Sequence, residues 1–265
     1  MPIRLAIHGA AGRMGQRLVA LAYPDPEFQL VAAIDSAGHV DGGRDAGQIA
    51  GIGEIGVPLT DALGDGVDVV IDFSVAHAAA ALAQECMQRG VALVTATTGL
   101  DDQQRELVMS AAHQIPLLWA PNMSLAVNLL MKLSAVAAGA VKDHPSGVDV
   151  EIIERHHRFK EDSPSGTALK FGEIISNVMG HTEHRHGREG IVGKRPHYEL
   201  GYHAVRTGDN PGEHTIIFGF LGETIELTVR ATSRDCYALG ALAAAKYLYG
   251  KGAGLYGIND VLGLK

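Results

Sequence analysis

Five short apolar runs in the first half of the chain constrain its fold more than any other feature. They are IRLAIHG (3–9), FQLVAAID (28–35), VDVVIDFS (67–74), VALVTATTG (91–99) and IPLLWAPN (115–122). Their apolar residues fall on both faces instead of alternating, and stretches with helical character separate them: AAGRMGQRLVALA, AHAAAALAQECMQRG and DDQQRELVMSAAHQ. Strands apolar on both sides and joined by helices predict an α/β domain, a doubly wound parallel sheet covered on both faces. After SLAVNLLMKLSAVAAGAVKD (124–143), read as a long helix, the texture changes. VDVEIIER reads as a strand, SGTALKFGEIISNVM as a helix, and HTIIFGF and TIELTVRA as antiparallel strands turning at Leu221-Gly222. This predicts a second, α+β domain on a mixed or antiparallel sheet. The expected boundaries are 1–128 for a dinucleotide-binding domain and 129–234 for the second domain. A C-terminal helix and tail, 235–265, return to the first. The polar, glycine-rich stretch 181–197 is expected to be a long loop.

The bulk composition excludes several functions. The 265 residues carry a formal charge of −8, against the basic face of a nucleic-acid binder. No apolar run approaches the roughly 20 residues needed to cross a bilayer. The N-terminus runs straight into a strand pattern without a signal-peptide layout. Cys86 and Cys236, in no metal-like spacing, argue against a disulfide framework, so a soluble, cytoplasmic protein is expected. His181, His184 and His186 match no zinc pattern, and no metal site is expected.

Gly9-Ala10-Ala11-Gly12-Arg13-Met14-Gly15 lies where the first strand meets the first helix, and Asp35 ends the second strand twenty residues beyond Gly15. In that context the glycines let the backbone approach a pyrophosphate at a helix N-terminus, while the carboxylate holds a ribose diol. Asp35 followed by Ser36 favours NAD, because a carboxylate repels a 2′-phosphate; Arg13 at the helix mouth leaves NADP open. Thr97-Thr98-Gly99 and Ala120-Pro121-Asn122 close the fourth and fifth runs, at the strand ends where the ligand crevice of such sheets lies.

Against the acidic background, EIIERHHRFKEDSPSGTALKFGEII (151–175) gathers Arg155, His156, His157, Arg158 and Lys160 just before a helix start at Ser163-Pro164-Ser165-Gly166-Thr167. Free amides at a helix N-terminus bind anions, and histidine and lysine move protons near neutral pH. Singly, each feature is an ordinary surface pair, charge run or cap. Together, beside a dinucleotide domain, they predict hydride transfer to an anionic substrate with a proton supplied from this segment.

Glu154-x-His156-His157-x-x-Lys160-x-Asp162-x-Pro164-Ser165-Gly166-Thr167-Ala168 resembles the signature of the dihydrodipicolinate reductase family. GAAGRMG, ATTG, APNMS and RTGDNPGEHT extend the resemblance over the full chain. It implies a Rossmann-type cofactor domain, a substrate and oligomerisation domain, and a homotetramer. It also implies reduction of a cyclic imine dicarboxylate, 4-hydroxy-tetrahydrodipicolinate, by NADH or NADPH in the diaminopimelate route to lysine, with closure of the domains over the reactants. By the same resemblance His156 and Lys160 are catalytic. His157, Lys160, Ser165, Gly166 and Thr167 bind substrate. The cofactor falls on residues 9–14, Asp35, residues 96–98 and residues 120–123. Some members carry Glu-Arg where this chain has Asp35-Ser36, or a basic residue in the loop opening FSVAH (73–77), and both departures bear on the choice of cofactor. Two rivals stand beside this reading. An amino-acid or sugar dehydrogenase explains the first half but not HHRFKEDSPSGT, and a non-catalytic NAD sensor has no need of Lys160.

Overall fold

The computed structural model describes residues 1–264. Along the chain the elements are β1 (Ile3–His8), α1 (Arg13–Ala22), β2 (Phe28–Ile34), α2 (Ala46–Ile49), β3 (Leu59–Thr60) and β4 (Val69–Asp72). Then come α3 (Ala76–Arg89), β5 (Ala92–Thr95), α4 (Asp102–Ser110), a 3₁₀ turn (Ala111–His113), β6 (Pro116–Trp119) and α5 (Leu125–Val141). These are followed by β7 (Asp149–His156), α6 (Gly166–Met179), β8 (Glu183–His186), β9 (Glu199–Arg206), β10 (Gly212–Gly219) and β11 (Thr224–Ala231). The last elements are α7 (Asp235–Leu248), β12 (Gly254–Tyr256) and α8 (Ile258–Val261). The chain divides into two compact units, one of Met1–Leu125 with Asp235–Lys265 and one of Ala126–Arg234. No helix among the described residues is long and apolar enough to cross a membrane.

The first unit is built on a parallel seven-stranded sheet in the order β12-β6-β5-β4-β1-β2-β3. Strand order runs outward in both directions from the β1–β4 pair, which makes the carboxyl ends of those strands the switch point where such sheets bind ligands. Successive residues of each strand point to opposite faces, and both faces are packed. Leu5, Ile7, Val69, Ile71, Val94 and Leu118 join Leu18, Val19 and α7 alanines in one core. Ala6, Val70, Leu93 and Leu117 join Leu82, Ala83, Cys86 and Val108 in the other. This is why the strands read as unbroken apolar runs.

Helix α7 lies against this unit through small residues. A Cβ on Gly240 would come within 1.8 Å of the Met123 carbonyl oxygen, so only glycine fits there. The tail also supplies β12, which pairs in parallel with β6. Sequence reasoning did not separate this strand, nor α2, β3 or α8, because elements of two to four residues carry no period to read.

The second unit has a mixed sheet in the order β11-β10-β7-β9-β8. β10 pairs antiparallel with both β7 and β11, whereas β9 runs parallel to β7 and β8. On one face Val150, Ile152, Leu200, Tyr202, Ile216 and Phe218 pack against α5 and α6 through Val127, Leu130, Phe171 and Ile175. The stretch 181–197, expected as a loop, contains β8. Its EHRH sequence is exposed at every position, so a sheet edge is formed without any apolar alternation to announce it. Strand β9 was also unread: ELGYHAVR shows no clean alternation, and its four leading residues are all buried.

Gly15 of α1 sits so close to the β1–α1 turn that a Cβ would fall 2.1 Å from the Gly9 carbonyl oxygen. Gly15→Ala is therefore expected to destabilise the protein by about 1–3 kcal/mol, the usual cost of overpacking. Gly139→Ala, whose methyl meets nothing nearer than Val178 Cγ1 at 3.9 Å, serves as the control. It should be neutral or stabilise by up to about 1 kcal/mol in urea unfolding.

Candidate active site

In the first unit the turn after β1 has the form a dinucleotide phosphate requires. Gly9 has φ +75°, and a Cβ there would lie 2.7 Å from the Phe73 carbonyl oxygen, so this residue must be glycine. Helix α1 starts at Gly12 without a side-chain cap, leaving its first-turn amides directed outward for an external anion. Ala10 is buried, Met14 half-buried, and Gly12 and Arg13 are exposed at the helix mouth. Asp35 ties this turn to the end of β2: its Oδ2 accepts from the Ala11 amide at 3.0 Å and its Oδ1 from the Ser36 amide at 2.8 Å. The donor set and the glycine cradle fit a dinucleotide.

The loops after β4 and β5 are fixed by a buried carboxylate. Asp72 Oδ1 takes His8 Nδ1 at 2.7 Å, the Ser74 amide at 3.1 Å and the Ser74 hydroxyl at 2.6 Å. Its Oδ2 accepts the hydroxyls of Thr95 and Thr97, each at 2.7 Å. Burial pushes this carboxyl up, but the donors led by His8 outweigh it and hold it below the usual carboxylate range. Thr97 was expected to contact cofactor, yet its polar groups are engaged within the fold. Besides the hydroxyl, its amide meets Thr95 Oγ1 at 3.3 Å and its carbonyl accepts from the Trp119 indole at 3.2 Å. Thr98 is the exposed member of that loop, beside buried Ala96. In the loop after β6, Ala120 and Met123 are buried, Pro121 is exposed, and half-buried Asn122 accepts the Ser124 amide through its side chain.

In the second unit the inner sheet face changes from apolar to charged at one end. Glu154 follows Ile152 on β7, and His156 follows Glu154. Register places His214 of β10 opposite Glu154, and Arg206 of β9 opposite His156. Glu154, only 1% exposed, takes His156 Nδ1 on Oε2 at 2.5 Å and the Ser165 amide on Oε1 at 3.1 Å. Arg206 binds both oxygens, at 2.8 Å each, and also donates to the Asp162 carbonyl at 2.7 Å. Burial acts to raise the Glu154 pKa, but the bonds from His156 and Arg206 prevail and hold it down to about 2.

The remaining residues expected at the site surround this cluster. Ser165 caps α6, its hydroxyl accepting the Ala168 amide and meeting His214 Nε2, both at 3.1 Å. Both polar ends of Ser165 thus serve the fold, while Gly166 is exposed and Thr167 half-buried at the same helix mouth. Lys160 donates to Asp162 at 2.7 Å. The His157 amide bonds the Asn210 carbonyl at 2.8 Å, and its Nδ1 is buried without a hydrogen-bond partner. His214 lies edge-on to His156, ring centroids 5.2 Å apart. Burial, and then the charge on His156, push the His214 pKa down to about 4.

Sequence reasoning had quoted Glu154 and the segment holding Arg206 and His214 without giving them a task. The i, i+2 spacing of Glu154 and His156 was the available signal, since it puts both on one strand face. Nothing local points to Arg206, some fifty residues on. Among the described residues no group of three His, Cys, Asp or Glu side chains is placed to hold a metal.

A parallel sheet with this glycine turn and a carboxylate ending β2, followed by a second unit bearing a histidine–lysine site, defines a nicotinamide-dependent oxidoreductase. Residues 3–123 match the family description "Dihydrodipicolinate reductase, N-terminus" and residues 126–262 match "Dihydrodipicolinate reductase, C-terminus". The chain belongs to the dihydrodipicolinate reductase family. A Rhodopirellula baltica protein named 4-hydroxy-tetrahydrodipicolinate reductase is 55% identical over 99% of this chain and 97% of its own. One of the same name from Hahella chejuensis is 46% identical over 99% of both. The dipicolinate-bound dihydrodipicolinate reductase of Paenisporosarcina sp. TG-14 superposes with TM-score 0.78 at 26% identity, covering 97% of this chain and 98% of that one.

The depressed groups of the second unit dictate a two-stage loss of stability in acid. His214 is ordinarily near 6.5 and falls to about 4 in the fold, so its contribution is whole above pH 6.5 and is lost as pH drops from there to 4. Glu154 and Glu151, the latter hydrogen-bonded by Arg188, His203 and Arg195 against the opposing effect of burial, fall from 4.5 to about 2, so their contributions go between those values. Thermal midpoints measured from pH 8 to 3 should decline in both windows, and His214→Asn should flatten the upper one.

Proposed function

We propose that the chain catalyses reduction of 4-hydroxy-tetrahydrodipicolinate to tetrahydrodipicolinate in the cytoplasm, using the His156–Lys160 site as the proton-transfer centre. The observation that carries this reading is the Glu154–His156 pair set beside the mouth of α6, with Lys160 in the turn that follows β7. A dicarboxylate needs cationic and amide donors at two places, and this end of the unit offers Lys160, His157 and the helix N-terminus at Gly166 and Thr167. A reduced nicotinamide dinucleotide, with its pyrophosphate held at residues 9–14, would supply the hydride. Loss of the 4-hydroxyl as water leaves a carbon conjugated to the ring imine; that carbon accepts the hydride, and the resulting enamine takes up one proton, which Lys160 gives and His156 manages. Lys160 is held by Asp162 and is therefore oriented before substrate arrives. His157, half-buried in the same turn as Lys160, offers a second imidazole for a substrate carboxylate.

For the cofactor the reading is NADH first, with NADPH accepted. Asp35 uses one lone pair on each oxygen for backbone amides, so a 2′-hydroxyl can still donate to it and a 2′-phosphate is repelled. Arg13, exposed at the helix mouth, is the counter-charge by which NADPH is tolerated. The sheet face that α5 and α6 leave open carries exposed Ile153 and Val205, and assembly into a homotetramer is assigned to that face.

Turnover followed by nicotinamide absorbance, with substrate made in situ from pyruvate and aspartate semialdehyde, tests the reaction. Wild type should consume NADH, and Lys160→Ala should lose on the order of 10²-fold in kcat while its affinity for NADH stays unchanged. A wild type that binds NADH and consumes none overturns the assignment. Preference is tested with Asp35 left in place, since its carboxylate also holds the Ala11 amide. Ser36→Arg alone should raise kcat/KM for NADPH relative to NADH, and an unchanged ratio would argue against a 2′-phosphate position at this strand end.

A further inference from the structure

The imidazole of His156 is held at one nitrogen and left clear at the other. Its Nδ1 faces Glu154 Oε2 at 2.5 Å. That carboxylate is kept ionised by the two-pronged Arg206 contact and by the Ser165 amide. An ionised carboxylate accepts and cannot donate, so Nδ1 carries hydrogen whether the ring is neutral or charged. Nε2 is then the nitrogen that gains and loses the proton. On that side stands Gly212, where a Cβ would lie 3.0 Å from Nε2 and 3.3 Å from Cδ2. Any other residue there would press on the exchanging nitrogen.

We propose that Glu154 and Arg206 are positioning residues for the proton-transfer step: Glu154 fixes His156 as the Nδ1–H tautomer, and Arg206 holds that carboxylate in place. This rests on the assignment of His156 to proton transfer made above. The guanidinium holds the carboxylate in place through two parallel hydrogen bonds, one to each oxygen. Other groups near the ring come from β10, the turn after β7, and α6. His214 is neutral near pH 7 because burial disfavours its charge. Lys160 contributes a positive charge that is partly offset by Asp162. Ser165 is uncharged. Glu154 is thus the charged group that meets His156 directly, and Arg206 acts through it.

The tautomer of His156 separates this role from a merely structural one. With ¹⁵N-labelled histidine, and the His156 signals assigned through a His156→Gln variant, wild type should show hydrogen on Nδ1 and none on Nε2 in its neutral form. Glu154→Gln, whose amide can either accept from or donate to the ring, should show a mixture of the two tautomers and lose on the order of 10²-fold in kcat with KM little changed. Arg206→Gln should also raise the Nε2–H share, and Arg206→Lys should raise it less. If Glu154→Gln does not fold, the Arg206→Gln and Arg206→Lys pair still decides the matter. An Nε2–H tautomer in wild type, or activity lost with the wild-type tautomer kept, would each overturn the proposal. The spectroscopic arms need no substrate. A folded protein with the expected tautomers but no turnover would count against the proposed reaction and not against this assignment.

Discussion

The second unit is organised around a carboxylate that would be costly to bury alone. Moving an ion out of water costs several kcal/mol even after relaxation, and removal of one partner from such a cluster leaves an uncompensated charge. Glu154 avoids that cost by drawing donors from separate parts of the unit: His156 of its own strand, Arg206 of β9, and the Ser165 amide at the cap of α6, with Arg206 in turn reaching the Asp162 carbonyl. One ionised group therefore locks the register of β9 on β7, seats the N-terminus of α6 and orients a histidine ring. The order is not transferable to a neutral residue, because a glutamine could not accept from all of these donors at once.

The first unit repeats the device with a different partner set. Asp72, at the end of β4, fastens the loops after β4 and β5 to His8 at the end of β1. These are the three strands around the switch point of the sheet, so the crevice walls are fixed before any ligand is present. In both units a buried carboxylate is the joint between a hydrophobic core and the loops proposed to meet small molecules. Loops so fastened lose little further freedom on binding, which favours affinity and orientation. Thr97 shows the consequence for individual side chains: its hydroxyl is committed to Asp72, while Thr98 beside it is exposed.

Much of this architecture was legible in the chain. The five apolar runs become β1, β2, β4, β5 and β6 of the parallel sheet, because strands packed on both faces have no room for alternation. HTIIFGF and TIELTVRA become the antiparallel β10 and β11. What escaped was either very short or at an edge: β8 with four exposed residues, β3 with only two residues in all, and β12. β9 escaped for another reason. Its Glu199, Leu200, Gly201 and Tyr202 are all buried, since it lies between β7 and β8 with one face against α6 and the other beneath the Glu151, Arg188 and Arg195 ion pairs.

By itself the sequence determined the parallel sheet, the glycine turn with Asp35, and the concentration of histidine and lysine before a capped helix. These depend on local periodicity and on chemistry carried by neighbouring residues. Only the tertiary structure decided which groups control that chemistry. Arg206 and His214 reach Glu154 and His156 through strand pairings that span 50 and 60 residues, and Ser165 and Thr97 are turned inward by partners no local pattern names. The physical reason is that a buried charge must be satisfied by whatever donors the fold brings within about 3 Å, and sequence spacing does not encode that distance.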